Sequence, residues 1–233
     1  MNAKTPSLSV IILALNEAAR IGGTVSRVRQ ILPQAEVIVV DGDSQDATTR
    51  FAAAAGARVI RSERGRGLQC RTGAAQARGD LLFFLHADTI PPVNGADVLA
   101  HYFARTDVQI GTFRLAFDDR SWFLRACAWF TRFDTVFTRF GDQGIVVRRS
   151  FYERLGGIPP WPLFEDVEFL RRARCATRVW SFPACVLTSA RRFRKHGLLR
   201  QQVHNTSLLL WFLAGASPER LAAKYRSEPG AHG

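Results

Sequence analysis

Short apolar runs alternate, along the first half of the chain, with longer segments in which apolar residues recur at helical spacing. Four runs are predicted to be strands: Ser9–Leu13, Glu36–Val40, Arg58–Arg61 and Leu81–Leu85. Nearly continuous Val, Ile, Leu and Phe is typical of strands buried on both faces. Strands that alternate with helices predict an α/β fold with a mostly parallel central sheet and helices on both faces.

Helices are predicted between and after these strands. The first runs from about Glu17 to Leu32 and is stopped by Pro33, and the second covers Thr48–Ala55 and ends at Gly56. Later in the chain, Ile145–Val147 is strand-like and Phe164–Ala173 has helical spacing.

Polar residues follow four of the apolar runs in a fixed order. Asn16-Glu17 follows the first strand, Asp41–Ser44 the second and His86–Thr89 the fourth, while Glu165-Asp166 follows Pro162–Phe164. In an open parallel sheet the loops after the carboxyl ends of the strands converge on one crevice. We therefore expect the first three clusters to face one pocket and the fourth to close it.

A dinucleotide-binding site of the Rossmann type is disfavoured. Such a site needs glycines after the first strand, so that the backbone approaches a pyrophosphate at the helix N-terminus. This chain has Ala14–Glu17 there, with no glycine and with an acid that would repel a pyrophosphate.

The acidic clusters match the needs of a nucleotide and a metal. Asp41 can accept a hydrogen bond from a base N–H or a ribose hydroxyl. Asp88 is placed to hold Mg²⁺ or Mn²⁺, which take one or two carboxylates and fill their other positions with water and phosphate oxygens. His86 can ligate Mn²⁺ or donate a hydrogen bond. The glycine-rich segment Arg64–Gly67 can offer backbone and guanidinium donors to a diphosphate, although it is not a Walker motif.

Glu165 and Asp166 have two interpretations. They can be ordinary first-turn acids stabilised by the helix dipole. Alternatively, Asp166 is a general base on the acceptor side of a nucleotide diphosphate site, because the pair follows the turn-forming Pro159, Pro160 and Pro162. We favour the second interpretation.

An aromatic segment, Trp122–Phe140, is predicted to be helical, with Arg125, Arg132 and Arg139 on one flank of an apolar face. That face covers an arc of about 100° and consists of Trp122, Ala126, Trp129, Phe133, Val136, Phe137 and Phe140. The interpretation that we favour is a core helix packed on the sheet. The alternative is a basic and aromatic surface that contacts an anionic membrane or a lipid-linked acceptor. The apolar run Leu208–Leu213 is too short to span a membrane and suits either interpretation.

Composition is consistent with one globular domain. The chain has 233 residues, of which 47% are hydrophobic and 22% charged, and its net charge is +12. No apolar run approaches the ~20 residues needed to cross a bilayer, no signal peptide is recognised, and four cysteines without C-x-x-C spacing indicate reduced thiols. We expect a cytoplasmic protein, with peripheral contact at the inner membrane face as an option, and no nucleic-acid partner.

The six stretches SVIILALNEA, VIVVDGDSQD, LLFFLHADT, GDQGIVVRR, LFEDVEFLRR and SARRFRKHG follow one another in this order. Together they resemble the family 2 glycosyltransferases with the GT-A fold, and within them a small bacterial subgroup connected with arsenosugar biosynthesis. The resemblance runs from Ser9 to about Tyr225. We expect a single GT-A domain with a nucleotide-binding half over about 1–120, an acceptor-side half over about 121–226 and a flexible tail at 227–233.

The resemblance implies an inverting transfer from a UDP- or GDP-linked sugar to an unknown acceptor, assisted by Mg²⁺ or Mn²⁺. It implies that Asp166 is the catalytic base, that Asp88 binds the metal, and that Asp41 recognises the nucleotide base. Other residues are assigned by position. These are Glu165 and Arg192 for catalysis; Ala14, Asn16, Glu17, Asp43, Arg66, Gln69, Gly73, Ala87 and Arg191 for the donor; His86 for the metal; and Asp142, Gln143 and Trp161 for the acceptor.

Three residues depart from the family pattern: Leu13 replaces a common Pro, His86 replaces the first Asp of D-x-D, and Phe193 stands where Trp is usual. The rival functions are a nucleotidyltransferase and a non-catalytic nucleotide-sugar-binding module. The first would carry a glycine-rich loop with a basic residue directly after the first strand, and the second would have no need of Asp166.

Overall fold

The computed structural model describes residues 6–135 and 141–227. Its strands are β1 Leu8–Ala14, β2 Glu36–Asp41, β3 Arg58–Arg61, β4 Leu81–His86, β5 Thr89–Ile90, β6 Ile110–Phe117, β7 Ile145–Arg148 and β8 Val179–Thr188. Its helices are α1 Ile21–Ile31, α2 Thr48–Ala54, α3 Arg66–Gln76, α4 Gly95–Phe103, α5 Trp122–Phe130, α6 Arg149–Arg154, α7 Glu165–Ala176, α8 Arg191–His196, α9 Leu198–Leu213 and α10 Pro218–Ser227, with a 3-10 turn at Gly141–Gln143.

The eight strands form one sheet in the order β3-β2-β1-β4-β7-β6-β8-β5. Strands β1 to β4 pair in parallel, as do β6 and β8, whereas β7 is antiparallel to both of its neighbours and β5 is antiparallel to β8. The α/β fold with a mostly parallel sheet is therefore confirmed.

Both faces of the sheet are buried, as the continuous apolar strands predict. Along β1, Val10 and Ile12 face a core completed by α1, α2 and α4. Ile11 and Leu13 face the opposite core, which α3, α6 and α7 complete. This alternation follows from the two-residue period of a strand. A smaller cluster joins Leu163 to α9 and α10.

The first helix begins later than predicted. The carbonyl of Glu17 accepts the N–H groups of Arg20 and Ile21, which closes a turn before α1 starts at Ile21. The N–H of Glu17 donates a hydrogen bond to the Thr48 hydroxyl at 2.8 Å. Residues 17–20 therefore belong to the loop at the end of β1 rather than to the helix.

The prediction of one long aromatic helix is wrong. Helix α5 ends at Phe130, because the Thr131 hydroxyl donates to the carbonyl of Ala128 and accepts the N–H of Leu115 on β6. The favoured core interpretation is also wrong for the described residues, since Trp122 is 78% and Trp129 46% exposed. Residues 136–140, with Arg139 and Phe140, lie outside the described part of the chain, as does most of the predicted tail.

Within the described residues, no helix is both long and apolar enough to cross a membrane. The four cysteine thiols are free.

Candidate functional site

A cleft of about 400 Å³ opens at the carboxyl ends of β1 and β4. This is the edge at which ligands collect in open α/β sheets. Its walls are built by several elements that are distant in sequence. The lining residues are Leu13, Ala14, Leu15, Asn16, Glu17, Arg64, Gly65, Arg66, Gln69, His86, Ala87, Asp88, Phe117, Asp142, Pro162, Thr188, Ser189, Phe193, Gln201, Asn205 and Tyr225.

The loop after β1 is held in place by the loop after β2. Asn16, in the left-handed region at φ 54°, donates its N–H to the Ser44 hydroxyl at 2.8 Å and accepts the Gln45 N–H at 2.9 Å. Asn tolerates this conformation better than most residues. Asn16 therefore fixes the rim of the cleft, where the sequence predicted donor contacts.

Asp41, the last residue of β2, is 2% exposed. Its Oδ2 accepts the Ser44 N–H at 3.1 Å, while its Oδ1 is buried without a hydrogen-bond partner. A buried acceptor without a partner is costly unless a ligand satisfies it. Asp41 lies behind the cleft lining, and the nearby Asp43 is exposed at φ 71°.

Gln69 ties the ends of β1 and β2 together from α3. Its side-chain amide donates to the carbonyls of Ala14 at 2.9 Å and Val40 at 2.8 Å. One helical turn further on, Gly73 is buried, and a Cβ there would lie 2.4 Å from a methyl carbon of Ile11. Gly73, predicted to bind the donor, instead permits close packing of α3 on the sheet and does not line the cleft.

Glu17 engages two arginines. Its carboxylate lies 2.8 Å from Arg191 Nη2 and 3.4 Å from Arg20 Nη1. Arg191, predicted to approach the leaving diphosphate, thus neutralises an acid of the cleft wall. The side chain of Arg192 is outside the described part of the structure, so its predicted catalytic role stays a prediction.

At the end of β4, His86 and Asp88 both line the cleft. His86 Nε2 lies 3.3 Å from Asp142 Oδ1, and Asp88 is half-buried with a weak 3.4 Å contact from the Thr89 hydroxyl. Among the described residues, no group of three or more His, Cys, Asp or Glu side chains forms a metal site. A cation that takes most ligands from a diphosphate and water needs no such group, so the single carboxylate of Asp88 fits Mg²⁺ or Mn²⁺.

The Glu165-Asp166 pair begins α7, and neither residue is among those that line the cleft. The preceding residue, Phe164, is left-handed at φ 60°, a strained conformation for a non-glycine residue. Asp166 accepts the N–H groups of Gly141, in a short hydrogen bond, and of Val167 at 2.8 Å. Phe164 packs on Phe212 with ring centroids 5.0 Å apart, which holds this turn in place.

The electrostatics of this pair connect it to the cleft. Burial, and then repulsion by Asp166, raises the pKa of Glu165 to about 8. Burial also raises the pKa of Asp166, opposed by the Gly141 N–H and by Arg66. Burial lowers the pKa of Arg66, but attraction to surrounding acidic groups outweighs burial, so the pKa is raised overall. These groups are Glu165, Tyr225, Asp142 and Asp166. At neutral pH, Glu165 is therefore largely protonated, and Arg66 connects the pair to the cleft wall.

Two predicted acceptor residues do not line the cleft. Gln143 is 1% exposed, with its Oε1 at 3.5 Å from the Thr112 hydroxyl. Trp161 packs on Phe212, and its carbonyl accepts the Gly67 N–H at 3.1 Å. Asp142 does line the cleft.

Sequence reasoning missed the residues that the C-terminal helices bring to the cleft. Gln201 and Asn205 of α9 and Tyr225 of α10 line it, as do Phe117 and Phe193. Of these five residues, only Phe193 belongs to one of the sequence motifs. The others were missed because the polar residues that follow strands give no information about side chains on later helices.

Solved structures share this fold. A mannosyltransferase from Pyrobaculum calidifontis, in complex with GDP-Man and Mn²⁺, is 21% identical, with a TM-score of 0.61 over 87% of this chain and 64% of its own. Glucosyl-3-phosphoglycerate synthase from Mycobacterium tuberculosis, with Mn²⁺, UDP and phosphoglyceric acid, is 19% identical, with a TM-score of 0.64 over 91% and 80%. TarS of S. aureus, with UDP-GlcNAc, is 16% identical, with a TM-score of 0.66 over 78% and 58%.

This chain therefore spans less than two thirds of the length of the mannosyltransferase and of TarS. No curated protein matches its sequence. The family model described as glycosyl transferase family 2 matches residues 9–154, which is more than half of the chain. The chain belongs to glycosyl transferase family 2.

Proposed function

We propose that this protein transfers a sugar, with inversion, from a UDP- or GDP-linked donor to an acceptor hydroxyl. The observation that carries the proposal is the pair of Glu165, which is buried, and Asp166, which is partly buried; Arg66 connects this pair electrostatically to a cleft at the carboxyl ends of β1 and β4. The structural neighbours that bind UDP, UDP-GlcNAc or GDP-Man support the class of donor.

In the proposed reaction, Asp166 removes the proton from the acceptor hydroxyl. The acceptor oxygen forms a bond to the anomeric carbon, the bond from that carbon to the diphosphate oxygen breaks, and its electron pair leaves on the diphosphate. The raised pKa of Asp166 makes its carboxylate a stronger base than an exposed one. Protonation of Glu165 removes a competing negative charge beside it.

Other residues bind and orient the donor. The unpartnered Asp41 Oδ1 accepts an N–H or hydroxyl of the nucleoside. Arg66 offers positive charge to the departing diphosphate. Asp88, with His86 beside it, would hold Mg²⁺ or Mn²⁺, which neutralises charge on the diphosphate when bound.

The test is an assay of donor hydrolysis and sugar transfer over a panel of UDP- and GDP-linked sugars, with and without Mn²⁺. Asp166→Asn should lower turnover by about 10²–10⁴-fold and leave donor affinity within a few fold. The matched control is Glu168→Gln on the same helix, whose carboxylate pairs with Arg171 and Arg172. Wild-type turnover in Asp166→Asn would overturn the assignment of the base.

The acceptor, the arsenosugar subgroup and the cytoplasmic location stay predictions. A nucleotidyltransferase given the same donors would break the bond between the two phosphates and release a sugar 1-phosphate, and a non-catalytic module would bind donor without turnover.

A further inference from the structure

Helix α5 and the turn after it expose four aromatic rings close together, whereas Phe51 and Trp211 are the other exposed aromatic residues in the described part of the chain. Of the nine residues of α5, only Leu124 is buried. We call the following set the aromatic-basic patch: Trp122 (78% exposed), Arg125, Trp129 (46%), Phe130 (54%), Arg132 and Phe133 (47%). Large exposed apolar groups in one place mark an interaction surface.

Three of the four rings of the patch contact one another. The ring centroid of Trp129 lies 5.3 Å from those of both Phe130 and Phe133. The guanidinium group of Arg132 lies over the Trp129 ring at 5.2 Å from its centroid. An arginine that covers a half-exposed tryptophan places an apolar ring and a cation at the same depth. Trp and Arg combine in this way where one side of a surface is apolar and the other is polar.

The two charged residues of the patch are basic, and Asp134, which follows Phe133, pairs with Arg174 at 2.9 Å. Helix α5 contains no acidic residue. A groove between α5 and β6, of about 600 Å³, adds Arg114, whose Nε is buried without a hydrogen-bond partner. The acid in that groove, Asp119, already pairs with Arg194 at 3.3 Å and caps the N–H of Ser121. The uncompensated guanidinium groups therefore favour a partner with many phosphates.

We propose that the aromatic-basic patch docks on the surface of an anionic lipid bilayer. The rings enter the boundary between headgroups and acyl chains, and Arg125 and Arg132 contact lipid phosphates. A protein partner of fixed shape would supply acids at defined points, whereas a patch of exposed rings whose charged residues are all basic fits a fluid anionic surface. Phe117 lines both the groove behind α5 and the candidate donor cleft, so docking keeps that cleft beside the bilayer.

The experiment is co-sedimentation of the full chain with phosphatidylcholine vesicles, alone or with about 30% phosphatidylglycerol, at ~0.1 M salt. The wild type should sediment only with the anionic vesicles. Trp122→Ala/Phe130→Ala and Arg125→Ala/Arg132→Ala should each lower the partition coefficient by about tenfold or more. Brominated lipid should quench tryptophan emission, and Trp122→Phe/Trp129→Phe should remove most of that quenching.

Matched controls separate docking from the general attraction of a chain with a net charge of +12. Phe51→Ala removes another exposed ring that an arginine, Arg50, covers at 5.1 Å. Arg27→Ala/Arg50→Ala removes two exposed charges elsewhere. Both controls should stay within about twofold of wild type.

Three outcomes would overturn the proposal. The wild type stays in the supernatant with both kinds of vesicle. The patch variants and the controls lose binding equally. In the third outcome, sedimentation velocity shows that the wild type is a dimer and the patch variants are monomers, and neither the wild type nor the variants bind vesicles. The patch would then be an interface between copies of this chain.

Discussion

His86 Nε2 lies 3.3 Å from Asp142 Oδ1, and this contact joins the end of β4 to the 3-10 turn before β7. Two separate predictions, a metal ligand and an acceptor contact, thus meet in one pair at the cleft. The same turn supplies the Gly141 N–H that Asp166 accepts. The proposed metal site and the proposed base are therefore connected through two consecutive residues, Gly141 and Asp142.

Replacing His86 tests the metal side of this connection. His86→Asp restores a second carboxylate, so Mn²⁺ should bind about tenfold more tightly in the presence of UDP or GDP. Without metal, repulsion from Asp142 should lower the melting temperature. The measurement is thermal shift across a Mn²⁺ titration, with His101→Asp on α4 as the control. Unchanged Mn²⁺ dependence would remove His86 from the metal site.

Asp41 should matter for the nucleotide and not for folding. Asp41→Asn leaves one oxygen to accept the Ser44 N–H but loses the anionic acceptor at Oδ1. We expect affinity for the preferred nucleoside diphosphate to fall by about tenfold or more, because a hydrogen bond to a charged group is worth about 1.5–3 kcal/mol. Calorimetric titration measures this, with the exposed Asp97→Asn as the control. Equal affinity in both variants would contradict base recognition by Asp41.

Stability should fall with rising pH because of Glu165. Its pKa is about 8 in the folded protein and 4.5 in an unperturbed chain, so the folded state holds the proton that the unfolded state releases between these values. Glu165→Gln should therefore gain stability relative to wild type between pH 5.5 and 8.5, by more than about 1.4 kcal/mol, the equivalent of one pKa unit. Urea unfolding at both pH values gives the number.

The control for this pH effect is Glu168→Gln. Its hydrogen bond from Arg171, with Arg172 adding to it, lowers the pKa of Glu168, so its contribution is already present above pH 4.5 and is lost only in acid. From pH 5.5 to 8.5, the free energy of unfolding of Glu168→Gln should change with pH as that of the wild type does. A parallel curve for Glu165→Gln as well would show that Glu165 is ionised in the folded state.

Gly67 should be intolerant of a side chain. A Cβ there would lie 2.1 Å from the Pro159 carbonyl oxygen and 2.6 Å from the Trp161 nitrogen, so the loop that carries Pro162 into the cleft must move. Gly67→Ala should destabilise by about 1–3 kcal/mol and raise KM for the donor. Gly23→Ala, in α1 with nothing within 4 Å, should stabilise by about 0.5–1 kcal/mol. Chemical denaturation gives the stability of both variants, and steady-state kinetics gives their KM for the donor. Equal stability and KM in the two variants would contradict the prediction.

Strand positions were predictable because β1, β2 and β4 are buried on both faces and must be apolar throughout. The first helix was placed four residues too early, because hydrogen bonds from the N–H groups of Asn16 and Glu17 to the distant Ser44 and Thr48 hydroxyls hold the loop after β1 in a non-helical conformation. Periodicity also extended α5 beyond Phe130, since it cannot register the hydrogen bonds of Thr131 with Leu115. In each case a long-range contact overrides a local preference.

The sequence by itself determined the alternation of strands and helices and the edge of the sheet where Asn16, His86 and Asp88 meet, because two-face burial and parallel pairing leave little freedom. Only the tertiary structure decided the surroundings of each side chain. Gly73 is packed in the core, Arg191 is paired with Glu17, and the aromatic face of α5 is exposed. Burial is a property of the neighbours that folding brings, and a periodic pattern does not contain them.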